Sequence, residues 1–156
     1  MPSAVYMLLI LLPVLILLTI CVYTDIKHRL IYDRWTIPSM IYFLIVQLMN
    51  GSLGKGIIGL LVLGLTIYAL AWITKGGIGG GDIKLYAALG AAFGMMSGLW
   101  IAAIASILAA IGSIPLLIIK RYRYLPAKYN EVPMAPFIAA GTAAVIALAI
   151  YPQMNL

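Results

Sequence analysis

The stretch AVYMLLILLPVLILLTICVY, from Ala4 to Tyr23, contains 20 residues and no charged side chain. Apolar runs of about 18 residues or more are typical of transmembrane helices. No basic segment precedes the run and no small-residue cleavage site follows, so we expect a retained helix rather than a signal peptide. The run also holds the only cysteine, Cys21. A disulfide framework and a cysteine-rich zinc site are therefore excluded.

The rest of the chain has the same apolar character. Of its 156 residues, 65% are hydrophobic and 9% are charged, and the mean hydropathy is +1.12. A soluble domain of this length cannot bury so much apolar side chain. The composition predicts an all-α polytopic membrane protein that forms a single transmembrane domain over residues 1–156. Glycine, proline and charged residues separate six predicted spans, at roughly residues 4–23, 36–50, 53–74, 82–97, 98–119 and 135–151.

The charged residues predict how these spans are oriented. The formal net charge is +6, and nine of the ten Lys and Arg residues lie on one side of the predicted spans, with only Lys55 on the other. The positive-inside rule assigns the basic side to the cytoplasm, and contact with anionic lipid explains the charge better than nucleic acid does. The four acidic residues, Asp25, Asp33, Asp82 and Glu131, all lie on this cytoplasmic side. Asp25 and Asp82 are therefore expected at the same membrane face.

The stretch GGIGGGDIKLYAALG, from Gly76 to Gly90, places Asp82 directly after a run of glycines. One interpretation is a turn followed by an aspartate that caps a helix. The helix predicted from Asp82 to Met96 would however be only about 22 Å long, against about 30 Å of hydrocarbon. We therefore expect Asp82 below the cytoplasmic surface, where an ionisable group indicates a functional site. Glycines, which lack a Cβ, would also let a substrate backbone approach the carboxylate.

The predicted helix after Asp82 is rich in alanine and glycine. Gly90 and Gly94 form a small-xxx-small pair, which allows close helix contact and predicts a central helix surrounded by the others. Lys84 lies two positions after Asp82, and residues with this spacing do not face each other on a helix. We therefore expect Lys84 to extend toward lipid headgroups rather than to pair with Asp82.

The second acid at this face, Asp25, comes where the first predicted span reaches the surface. A solvated acid paired with a nearby basic residue is one interpretation, and it applies with more force to Asp33. Two carboxyl groups held together in a partly dry place would instead share a proton and titrate as a pair. The charged member can take a proton from water, and the neutral member can donate one to a carbonyl oxygen. His28 is the only histidine, so a metal site or a Ser-His site is poorly supported.

Three segments resemble one family. Gly79-Gly80-Gly81-Asp82 fits the GxGD signature of polytopic aspartic proteases, and DIKLYAALG is similar to the corresponding segment of type IV prepilin peptidases. TDIKHRLIYDRWTIP resembles their first aspartate segment, with Asp25 in the catalytic position and Asp33 in that of an Asn or Asp. VPMAPFIAAG resembles the segment that opens their final helix. The chain departs from the family at Tyr32, in place of a usual proline, and at Met134-Ala135, in place of Phe-Gly.

The resemblance implies a multi-pass aspartic endopeptidase of the inner (cytoplasmic) membrane with Asp25 and Asp82 as the catalytic pair. It would remove short basic leaders from prepilin-like precursors (type IV pilins, pseudopilins or archaellin-like proteins) at the cytoplasmic face. The expected partners are these precursors and the lipid bilayer, without nucleic acid, cofactor or metal. We expect a short peptidase-only form, similar to Tad-type or archaeal preflagellin peptidases, without the N-methyltransferase domain. The expected substrate-binding residues are Gly79, Gly80, Gly81, Lys84, Pro136 and Phe137.

Two other functions are compatible with these residues. A presenilin-like protease shares the GxGD signature but cuts within membrane helices. It usually has more spans, and its first aspartate lies inside a helix. A small transporter or scaffold would use its acids to relay protons or to hold helices together, which leaves the glycine loop unexplained. The position of the cleavage site would distinguish a presenilin-like protease from a leader peptidase. Normal function without proteolysis would indicate a transporter or scaffold.

Overall fold

The computed structural model describes residues 3–75, 77–122 and 133–154, with the side chains of residues 5–75, 77–114 and 133–149. Within these ranges the chain forms helices without any strand, which confirms the all-α prediction. Three residues used in the charge argument, Arg123, Lys128 and Glu131, lie outside the described ranges. The described helices are α1 (Ser3–His28), α2 (Asp33–Met49), α3 (Leu53–Ile73), α4 (Gly80–Phe93), α5 (Met95–Tyr122) and α6 (Ala135–Met154).

Several of these helices have the length and composition of membrane spans. Three segments are long and apolar enough to cross a bilayer: Val5–His28 of α1, Leu53–Ile73 of α3 and Met95–Ile114 of α5. The segment Ala135–Ala149 of α6 is a shorter apolar helix. Large apolar side chains cover the outer surface of the bundle, among them Leu8, Leu65 and Ile107. A soluble protein rarely exposes so many of them, and the bundle is that of a polytopic membrane protein.

The C-terminal ends of α1 and α4 differ from the prediction in ways that affect the site. α1 continues past Tyr23 to His28, so Asp25 lies inside its last turn rather than in a loop. The helix ends where Arg29 adopts a φ of 57° and its N–H donates to the carbonyl oxygen of Asp25 at 2.9 Å. α4 ends at Phe93, because Gly94 has a φ of 81°, a conformation that favours glycine. The sequence pattern did not indicate that α1 would end at His28 or that α4 would end at Phe93.

α4 lies at the centre of the bundle, in contact with α1, α2, α3 and α5. Nine of its 14 residues are buried. α3 packs against it backbone to backbone, because Gly59 and Gly90 face each other without side chains between them. A Cβ on Gly59 would also lie 2.8 Å from Cα of Gly94. The predicted central helix is therefore present, and the small-xxx-small pair forms its contact with α3.

The contact between Gly59 and Gly90 gives a reference point for the position of Asp82 along the bundle. Consecutive helices α3 and α4 run in opposite directions, so distances along both can be counted from this contact. At 1.5 Å per residue, Asp82 lies about 12 Å from Gly90, whereas the end of α3 at Ile73 lies about 21 Å from Gly59. Asp82 is therefore about 9 Å short of the end of α3. Asp82 is thus set back from this end of α3, and its depth below the membrane surface stays a prediction.

Candidate active site

Two buried carboxyl groups lie at the end of the bundle where α1 ends and α4 begins. Asp25 projects from the last turn of α1 and Asp82 from the first turn of α4, and each is only 8% exposed. They lie within electrostatic range of each other, and Cys21, one turn before Asp25, lies within range of both. Among the residues whose side chains are described, neither acid forms an ion pair, so the interpretation of Asp25 as a surface acid with a basic partner is wrong.

Asp25 is held by a segment far away in the chain. The N–H of Ala135, the first residue of α6, donates to Oδ2 of Asp25 at 2.9 Å across 110 residues. The positive end of the α6 dipole also favours an acid here. Ala135 is fully buried. Sequence reasoning missed this contact, because a backbone donor leaves no side-chain pattern; the only signal was the Pro-rich start of the final helix.

Asp82 occupies the third position of α4 and does not cap it. The N-cap residue is Gly79, which has extended backbone and makes no side-chain cap hydrogen bond. The carboxyl group of Asp82 turns back toward Gly79, where a Cβ would lie 3.2 Å from its Oδ2. The interpretation of Asp82 as the helix cap is therefore wrong, and the absence of a side chain at Gly79 leaves room beside the acid.

The three glycines before Asp82 have different surroundings. A Cβ on Gly81 would lie 2.7 Å from Cβ of Ile31, in the connection between α1 and α2. A Cβ on Gly80 would meet no heavy atom within 4 Å. Gly81 is therefore needed for packing, Gly79 for the space beside the carboxyl group, and Gly80 faces open space. Substrate binding by these glycines stays a prediction.

The lysine after Asp82 has a partner on another helix. Nζ of Lys84 lies 2.6 Å from Oδ2 of Asp33, the first residue of α2, and both side chains are about half exposed. This ion pair joins the start of α2 to the start of α4. Lys84 does not pair with Asp82, as expected, but its pairing with Asp33 was not predicted. Its orientation toward lipid headgroups and its role in substrate binding stay predictions.

The other expected substrate-binding residues lie in the first turn of α6. Pro136 and Phe137 follow Ala135 and are half-buried. The Phe137 ring packs against Gly112 of α5, where even a Cβ would overlap it. Phe137 therefore has a helix-packing contact, and its role toward a substrate stays a prediction, as does that of Pro136.

An apolar groove of about 450 Å³ runs between α1 and α6. On α1 it is lined by Val22 and Ile26, which flank Asp25, and on α6 by Ala139 and Ala143. Ala139 lies one turn after Ala135, so the groove opens beside the hydrogen bond between Ala135 and Asp25. Among the described residues, including those of this site, no group of three or more His, Cys, Asp or Glu side chains could hold a metal ion.

The fold and the site define a class of protein: a polytopic helical membrane protein with two buried acids at one end of its bundle. A model of the type IV leader peptidase family matches residues 10–114. This range includes both acids and covers more than half of the chain. The chain therefore belongs to the type IV leader peptidase family.

Curated relatives agree with this membership. The chain is 31% identical over 124 residues to a prepilin leader peptidase/N-methyltransferase of Aeromonas hydrophila, a match covering 75% of this chain and 41% of the relative. It is 34% identical over 134 residues to a protein of the same name from Bacillus subtilis, covering 81% and 50%. The chain thus spans about half the length of these relatives or less. No solved structure matches it.

Proposed function

We propose that the chain is an aspartic endopeptidase that cleaves the short basic leader from prepilin-like precursors at the cytoplasmic face of the cell membrane. The observation that carries this proposal is the burial of Asp25 and Asp82, on different helices, within electrostatic range of each other. Family membership supports the peptidase activity, and the names of the relatives support a prepilin-like substrate.

In this proposal the two carboxyl groups act together on a water molecule. One group, ionised, takes a proton from the water as it attacks the scissile carbonyl carbon, and the other, protonated, donates to the carbonyl oxygen. The C–N bond then breaks, and a proton passes to the leaving amine. The N–H of Ala135 holds the carboxyl group of Asp25 in one orientation for this step.

The charge distribution supports access from the cytoplasm. The acids lie at the end of the bundle that also carries Lys27, Arg29, Lys75 and Lys84, which the positive-inside rule assigns to the cytoplasmic side. A leader peptide would reach the acids over the glycine loop, where Gly80 faces open space.

The groove between α1 and α6 would hold the apolar helix of the substrate. It is lined by apolar side chains, it opens beside Asp25, and Ala139 and Ala143 allow another helix to approach closely. We expect Ala143→Trp to raise KM about tenfold, which corresponds to about 1.4 kcal/mol of lost binding. Ala103→Trp, on an exposed position of α5 outside this groove, should leave KM unchanged. Equal KM values would place the substrate helix elsewhere.

The proposed activity can be tested by co-expression with candidate prepilins and N-terminal sequencing of the product. Asp25→Asn and Asp82→Asn should each reduce cleavage about 10³-fold or more, as expected when a residue of a cooperating catalytic pair is removed. Asp33→Asn is the matched control, because it removes an acid from the same membrane face that is exposed and paired with Lys84. Near wild-type processing by either buried-acid variant would refute the catalytic pair.

A presenilin-like cut within a membrane helix is the second candidate, and one observation favours it. Asp25 lies inside α1 rather than in a loop, as expected for the first acid of such proteases. The two candidates differ in their product. Cleavage at the junction between the basic leader and the apolar helix supports leader removal, whereas a new N-terminus in the middle of the apolar helix supports the alternative.

A further inference from the structure

Gln47 is the centre of a buried hydrogen-bond cluster at the end of the bundle opposite the acids. Its side chain, on the last turns of α2, is only 3% exposed. Nε2 donates to the carbonyl oxygens of Ala92 at 2.9 Å and Ala91 at 3.3 Å. Oε1 accepts from the hydroxyl groups of Ser52 at 2.7 Å and Tyr6 at 3.0 Å. Every hydrogen-bonding direction of this amide is therefore used.

The two bonds from Nε2 satisfy two carbonyl groups in the last turn of α4. The last four carbonyl oxygens of a helix have no partner within the helix. In α4 the carbonyl oxygen of Gly90 accepts from the N–H of Gly94 at 2.8 Å, and those of Ala91 and Ala92 accept from Gln47. In an apolar surrounding an unpaired carbonyl is costly, so these bonds favour one position of α4 along its axis.

α2 thus contacts α4 through polar groups at both ends. Asp33, the first residue of α2, pairs with Lys84 near the start of α4, and Gln47 binds its last turn. The ion pair is exposed and contributes little, about 0–1 kcal/mol. The buried amide has the better geometry to hold α4 in place. Asp82 is carried by the same short, rigid helix.

We propose that Gln47 is a positioning residue that fixes the depth of α4 and thereby places Asp82 opposite Asp25. The proposal rests on the proposed function, in which these two acids act together. It assigns Gln47 no contact with substrate. Tyr6 and Ser52 hold the amide of Gln47 in the orientation that directs Nε2 toward α4.

The first test compares variants kinetically, using full-length protein in nanodiscs with a prepilin-like substrate. Gln47→Met has a similar length but lacks both donors to α4. Since a misplacement of about 1 Å can cost about a hundredfold in rate, we expect kcat to fall about 10- to 100-fold with little change in KM. Tyr6→Phe and Ser52→Ala are matched controls, because each removes one hydrogen bond from Gln47 but keeps Nε2 on α4. They should retain most of kcat.

The second test uses the labelling rate of an introduced cysteine to detect a shift of α4, and it needs no substrate. Gly80→Cys, at the open first position of α4, would be labelled with a water-soluble maleimide, while native Cys21 is buried and gives the background. Adding Gln47→Met should change the labelling rate severalfold, and adding Tyr6→Phe should not. If Gln47→Met does not fold, Gln47→Glu serves instead, because it keeps the acceptor for Tyr6 and Ser52 and offers α4 at most one donor, the O–H of the protonated acid.

The outcomes separate the two proposals. An unchanged labelling rate, or an unchanged kcat with lowered thermal stability, overturns the positioning role and leaves the proposed function intact. Failure of the wild-type chain to cleave any prepilin-like substrate refutes the proposed function, and the labelling rate still decides whether Gln47 holds α4.

Discussion

Asp25 lies in the last turn of a long apolar helix, whereas Asp82 lies in the first turn of a short helix made largely of small residues. Asp25 is held by a backbone donor from α6, and an apolar groove opens beside it. Asp82 depends on glycines, which bring α4 against α3 and against Ile31. The half of the bundle around Asp82 is therefore tightly packed, and the half beside Asp25 is more open and is where we propose that the substrate binds.

The largest effect is expected where α3 and α4 touch in the tightly packed half. In Gly59→Ala, the new Cβ would overlap the carbonyl oxygen of Gly90, so the two helices must separate. We expect a loss of about 3 kcal/mol in the free energy of unfolding, the upper range for overpacking. Gly54→Ala, on the same helix with no heavy atom within 4 Å, is the control in thermal unfolding. Equal melting temperatures would show that this contact does not determine the packing.

The next prediction concerns the donor that holds Asp25. Ala135→Pro removes the N–H of the first residue of α6, a position where proline fits the backbone, and adds two ring carbons at a buried site. A hydrogen bond to a charged group contributes about 1.5–3 kcal/mol, so kcat/KM should fall about 10- to 100-fold. Ala135→Val adds the same number of carbons, keeps the N–H and serves as the control. If both variants cleave a prepilin-like substrate equally well, Asp25 does not need this donor.

A smaller loss of stability is expected for alanine at Gly81, and almost none for alanine at Gly80. Gly81→Ala places a Cβ against Ile31 and should cost about 1–2 kcal/mol of stability, with a matching loss of cleavage. Gly80→Ala meets no atom and should change stability little. Thermal unfolding and cleavage rates of the two single variants check this difference. A stronger effect at Gly80 than at Gly81 would indicate that the open glycine contacts substrate.

The smallest effect is expected at the exposed ion pair between Asp33 and Lys84. Because both side chains are about half exposed, Lys84→Met should cost only about 0–1 kcal/mol in the free energy of unfolding. Exchanging the charges in Asp33→Lys with Lys84→Asp should restore any small loss measured at low salt. A large drop in activity that the exchanged pair does not rescue would point to a substrate contact of Lys84.

Much of the fold could be predicted, because the information is local in the chain. Long apolar runs indicated the helices, and Gly90 with Gly94 indicated the central one. The ends of α1 and α4 were not predicted correctly, since both depend on a left-handed residue, Arg29 or Gly94, that ends an otherwise continuous apolar pattern. A non-glycine residue such as Arg29 rarely adopts this conformation, so nothing in the sequence indicated that α1 would end there.

The candidate site was only partly predictable. The sequence indicated both acids and the membrane face they share. It did not indicate that Asp33 would pair with Lys84, 51 residues away, or that Gln47 would bind the end of α4. Such pairs depend on which helices become neighbours, and a chain of apolar helices is compatible with several arrangements.

By itself, the sequence determined that this chain forms membrane helices, that its acids collect on one side and that a glycine run precedes Asp82, because these follow from composition and order along the chain. Only the tertiary structure decided that Ala135 holds Asp25, that Gly81 packs on Ile31 and that Gln47 binds the last turn of α4. The physical reason is that these contacts join distant segments. They depend on which helices become neighbours, and the order of residues along one helix does not specify its neighbours.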